Sequence, residues 1–154
     1  MDELTFDADK FREVIADLVP AHQRIQVTSA LDLKDPTEAD FDRLGTALTG
    51  EQANAGFLFL TSTGNSSGNS LWSAIKGEIY DLFCTNSTRY SGERADGLLT
   101  IKNTITVIAT AVAASFHLAL GVVVGAVTLA LMCFLKVGRN AWCLVNHPGP
   151  MVSA

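Results

Sequence analysis

The chain has 154 residues, 48% of them hydrophobic, and a formal charge of −5, which allows one domain or a small domain with a membrane segment. Sixteen acids against eight bases give the first 97 residues a charge of −8, and from Leu98 onward the only charges are Lys102, Lys136 and Arg139. Neutralising phosphates needs a basic face, so the acidic balance excludes nucleic acid as a partner.

Met1-Asp2-Glu3 opens the chain with acid and no apolar run comes after it, so no secretory signal is read and the acidic part is expected in the cytosol. Cys84, Cys133 and Cys143 are odd in number and widely spaced; in a reducing compartment they predict no structural disulfide. The acceptor patterns at Asn65 and Asn86 read as coincidence in such a compartment.

Phe11, Val14, Ile15 and Leu18 recur at helical spacing, predicting an amphipathic helix over 7–19 that Pro20 ends. Over residues 24–34, Ile25, Val27, Leu31 and Leu33 fall on alternate positions, the pattern of a half-buried strand. Thr37 with Asp40 at the third helical position forms a cap, and Phe41, Leu44 and Leu48 form the stripe of a helix over 38–48. Residues 57–61 read either as a second strand or as part of a helix over 50–62, because Thr49 and Gln52 also fit a capping box. The Ser/Gly/Asn-rich stretch 61–70 reads as a flexible loop. Ser70 then caps a helix over 71–84 whose Leu71, Trp72, Ile75, Ile79, Leu82 and Phe83 share one face.

From Asn103 to Leu135, 33 residues carry no Asp, Glu, Lys or Arg, a transmembrane candidate. One helix of that length would measure roughly 50 Å at about 1.5 Å per residue, against a bilayer core of about 30 Å. A break near Leu118 to Gly121 resolves the excess and gives two spans, Leu99 to His117 and Gly121 to Cys143. Lys102 would then lie on the same side as Lys136 and Arg139, which the positive-inside rule assigns to the cytoplasm. Lys102, Lys136, Arg139 and Trp142 are the expected membrane-interface residues.

The run holds fifteen Leu, Ile, Val and Phe residues, worth about −5 to −9 kcal/mol on an insertion scale. Asn103, the threonines, Ser115 and His117 subtract from this, so a soluble or partner-protected form of the segment stays open. Ala109 and Ala113 on the first half, and Gly121, Gly125, Ala126 and Ala130 on the second, are candidate helix-packing positions, serving either assembly of hairpins or closure of one hairpin on itself. His117, at the proposed turn, reads as structural rather than as a proton sensor.

No paired ligand spacing, nucleophile motif or phosphate loop occurs, so no catalytic residue, metal or cofactor is named. The expected fold is mainly α, with one or two short strands admitted in the N-terminal domain and a C-terminal two-helix transmembrane hairpin. Residues 1–84 form a small acidic cytosolic domain, 85–97 a polar connector, 98–145 the hairpin and 146–154 an irregular tail. The expected function is non-enzymatic: a membrane protein whose hairpin self-assembles as a membrane-perturbing or pore-forming effector controlled by the soluble domain, with the lipid bilayer as partner. The alternative is a passive anchor presenting the acidic domain as an adaptor to a cytosolic protein. A soluble protein or enzyme burying its apolar helices in an oligomer ranks third.

Overall fold

Asp7 opens the first helix, its carboxylate accepting the backbone N–H of Asp9 at 3.1 Å and of Lys10 at 3.2 Å, which satisfies donors the helix leaves unpaired. The structure, a computed structural model, describes residues 6–34, 36–49, 71–85 and 100–145. Helix α1, Ala8–Leu18, buries Phe11, Val14 and Ile15, within a residue of expectation at each end.

Helix α2, Ala21–Leu31, comes directly after Pro20, and it corrects the strand read over residues 24–34. Its buried residues are Gln23, Val27, Ala30 and Leu31, a helical stripe that begins on a polar side chain. Ile25, which set the apparent alternation, is 82% exposed.

Helix α3, Glu38–Leu48, begins with the expected reciprocal cap. Asp40 N–H donates to Thr37 Oγ1 at 3.3 Å and Thr37 N–H donates to Asp40 Oδ2 at 3.0 Å. Helix α4, Leu71–Cys84, has the expected bounds, and its six apolar face residues are all buried. The expected strand or helix at 57–61, the loop 61–70 with Ser70, most of the connector (86–97) and the tail 146–154 lie outside the described residues.

Thr100 caps helix α5, Ile101–Phe116, by accepting Asn103 N–H at 3.0 Å. Helix α6 covers Leu120–Val137 and ends at Gly138, with φ 103°. A short helix α7, Arg139–Val145, completes the structure. The second apolar segment therefore stops at Val137 and does not run on to Cys143. Among the described residues there is no strand, and the fold is mainly α.

All twelve residues from Val123 to Phe134 are buried, and α6 contacts each of the other six described helices. A helix that is apolar on every side needs cover on every side. Here the buried faces of α1 to α5 supply it: one core cluster joins Phe11, Phe41, Ile75, Ile108 and Leu129. The acidic helices and the apolar hairpin thus share a single core.

Candidate functional site

The turn between α5 and α6 is built by backbone bonds. Leu118 N–H donates to Ala113 O at 2.9 Å and His117 N–H to Ala114 O at 3.4 Å, the bond pair that closes a helix around a left-handed residue. Glycine usually takes that place, and here it is His117, at φ 56° and ψ 45°. The break thus begins one residue before the expected stretch, at a histidine and not at Gly121. After it Leu118, Leu120 and Val122 are 37%, 44% and 47% exposed. Residues 117–122 form an uncharged tip.

Behind the tip, the small residues meet the wrapping helices. At Gly121 a Cβ would touch Pro20 Cγ, and at Gly125 it would collide with Gln23 Oε1 and approach Leu48 Cδ2 to 3.1 Å. The G-x-x-x-G pattern therefore seats α2 and the end of α3 on α6. Ala109, Ala113, Ala126 and Ala130 are buried too, so of the six candidate packing residues only Gly121 is exposed. Gln23 Oε1 and Thr104 Oγ1 are buried without a hydrogen-bond partner among the described residues, a cost that a perfected core avoids. By contrast Thr128 Oγ1 donates to Val124 O at 2.8 Å inside α6, and Thr106 and Thr110 bond the carbonyls of Lys102 and Thr106 on the exposed face of α5.

The expected interface residues are placed in four different settings. Lys102 pairs with Asp17 at 2.6 Å on the surface. Lys136 Nζ lies 4.9 Å from the centre of the Phe6 ring and 3.4 Å from Leu33 O, in an open groove also lined by Pro36 and Glu38. Arg139 opens α7. Trp142 is fully buried, edge-on to Phe134 at 5.3 Å, and Phe134 stacks on Phe83 at 4.6 Å.

Beside this aromatic cluster Cys84 is bonded to Cys143, with Cα atoms 5.8 Å apart. This corrects the expectation of no disulfide. That expectation came from an assumed compartment, whereas proximity decides pairing, and α4 and α7 bring the two cysteines within bonding range. Cys133 is free and buried.

A second joint ties α3 to α4. Asp42 Oδ1 accepts Trp72 Nε1–H at 2.8 Å and Lys76 Nζ at 2.9 Å, and Lys76 also meets Glu38 at 2.9 Å. Burial works against the Lys76 charge, but its bonds to Asp42 and Glu38 outweigh that and hold its pKa above the usual lysine value. The Thr37 backbone N–H, and after it Arg43, holds the Asp40 carboxyl below its usual value.

Among the described residues no group of three or more His, Cys, Asp or Glu is placed to hold a metal ion. Among the described residues one helix, Leu120–Val137, is long and apolar enough to cross a membrane, while Ile101–Phe116 is apolar and shorter. Comparison with family models, curated proteins and solved structures finds no match. What bears on function is a span-length apolar helix held inside amphipathic ones, with its tip in solvent. Gln23 and the disulfide had no legible signal, because each depends on partners distant in sequence, while Trp142 was legible as a membrane-surface residue and lies in the core instead.

Proposed function

We propose that this is a non-enzymatic, membrane-acting protein that stores its apolar hairpin inside the acidic helices and releases it into a lipid bilayer, perturbing the bilayer through self-association. The observation that carries this reading is the burial of α6, a helix of spanning length and composition, at the centre of the bundle. Insertion of the run is worth about −5 to −9 kcal/mol. Burial of Val123, Val124, Val127, Leu129, Leu131, Met132 and Phe134 contributes on the order of 10 to 20 kcal/mol at about 1.5 to 3 each. That burial must be undone before α6 can meet lipid, so membrane entry is conditional on loosening the wrapping helices.

A passive anchor would need α6 outside the bundle from the start, and burial of residues 123–134 favours the conditional form over it. Self-association of hairpins through Ala109, Ala113, Gly125, Ala126 and Ala130 belongs to the released state, since in the bundle those positions are covered. In the released state both ends of the hairpin lie on one side. The disulfide asks that this side be oxidising, or that the bond persist from before release.

The test is addition of the full chain to dye-loaded vesicles of phosphatidylcholine and phosphatidylglycerol. Little leakage is expected at neutral pH, and release is expected at acid pH, where bundles loosen. A chain that neither releases dye nor floats with vesicles under acid, heat or reductant would sink the reading and leave α6 as the core helix of a soluble protein.

A further inference from the structure

The hairpin has two unlike ends. At one, residues 118–122 carry no ionisable side chain, and Leu118, Leu120 and Val122 stand in solvent after the exposed His117. At the other, the Cys84–Cys143 bond closes a loop that contains the whole of α5 and α6. A single crossing by α6 would place everything before Leu120 and everything after Val137 on opposite sides of a bilayer. The bond forbids this, since Cys84 and Cys143 sit 5.8 Å apart at Cα and a hydrocarbon core is about 30 Å thick. Two crossings, by α5 and then α6, return the chain to its starting side and leave the bond intact.

We propose that the oxidised chain meets a lipid bilayer with its 117–122 tip leading and its disulfide-bonded end trailing, so that the Cys84–Cys143 bond restricts the membrane form to a hairpin. The inference rests on the membrane reading above. Lipid is the partner that fits what lies behind the tip. At about 1.5 Å per residue α6 is roughly 27 Å long, close to the hydrocarbon thickness, and α5, at roughly 24 Å, needs only local thinning. Thr106, Thr110 and Thr128 already bond carbonyls of their own helices, so the hairpin carries few unpaired hydroxyls into lipid.

Reduction removes the restriction. A dithiol passes two electrons and two protons to the Cys84–Cys143 bond, leaves as its own cyclic disulfide, and yields two protein thiols. Cys143 and α7 are then free to end on the far side, with α6 alone as the span.

The experiment compares the full chain in its oxidised form, after reduction with dithiothreitol, and as the C84S/C143S variant. Each is bound to phosphatidylcholine–phosphatidylglycerol vesicles at acid pH, then treated from outside at neutral pH with trypsin in one aliquot and with the unspecific proteinase K in another, and the peptides are read by mass spectrometry. For the oxidised chain, trypsin is expected to cut after both Lys136 and Arg139, while proteinase K, which can cut within the Lys-free and Arg-free run 103–135, leaves that run protected. For the reduced chain and C84S/C143S, a several-fold larger share of molecules protected at Arg139 is expected. Protection of Arg139 in the oxidised chain, or the same cleavage in both redox states, overturns the proposal while leaving the membrane reading standing. No protected peptide in any form refutes the membrane reading itself. The L118D/L120D variant changes two exposed positions and is expected to lose the protected peptide; if it keeps that peptide, the tip does not lead.

Discussion

Four glycines show how differently the same substitution falls on this chain. At Gly138 the backbone sits at φ 103°, a region that side chains with a Cβ avoid, so Gly138→Ala is expected to cost about 1 to 2 kcal/mol. At Gly77, inside α4, a Cβ meets nothing within 4 Å, and Gly77→Ala is expected to stabilise by about 0.5 to 1 kcal/mol through helix propensity. Gly45 and Gly125 both stand where a Cβ collides, but against different obstacles. The Trp72 ring over Gly45 is fixed by its bond to Asp42, whereas the Gln23 amide over Gly125 ends a flexible side chain. Gly45→Ala should therefore cost about 2 to 3 kcal/mol and Gly125→Ala clearly less. Urea unfolding of the four variants checks the order, and a Gly77→Ala protein less stable than its parent would contradict the packing described.

At the scale of elements, the joint between α3 and α4 has a pH signature. Lys76 binds its proton more tightly folded than unfolded, so its contribution is fully present below the unfolded lysine value and is lost as pH rises through the raised folded one. Stability should fall on the alkaline side above about pH 10, and Lys76→Met should flatten that fall. The Asp40 cap runs the other way: its depressed pKa gives a contribution present above the unfolded carboxylate value and lost as pH falls through the folded one. Urea midpoints against pH for the two variants Lys76→Met and Asp40→Asn separate the limbs. The cap at Thr37 and the face of α4 were legible in the sequence, because both are written within one turn or one stripe. Helix α2 was not, since its buried stripe opens on Gln23 while Ile25 faces solvent. The sequence marks polarity, and here polarity and burial part company. The same holds for Trp142, placed at a membrane surface by its chemistry and inside the core by Phe134.

For the whole molecule, the apolar run was legible as one that must be covered, and its division into two helices came from its excess length and the basic residues at both ends. What covers it was not legible. Lipid and a ring of amphipathic helices make the same demand on composition, and only long-range packing distinguishes them. The disulfide closes that arrangement across a separation of 59 residues, so on a chain-entropy account C84S/C143S should lose about 4 kcal/mol, measured as a lowered urea midpoint. With Cys84 and Cys143 bonded, Cys133 is the one free thiol and it is buried within α6, which makes it a reporter of where that helix is. In the bundle, both a charged maleimide and the membrane-permeant N-ethylmaleimide should label Cys133 slowly, because neither reaches the sulfur until the helix opens. In urea both should label it quickly. With anionic vesicles at acid pH, and then a return to neutral pH, both should stay slow even in urea, because a maleimide is attacked by the thiolate and a sulfur held in hydrocarbon stays a thiol, and both should become fast once detergent dissolves the vesicles. Fast labelling in urea with the vesicles intact would mean that α6 opened into water and did not enter lipid.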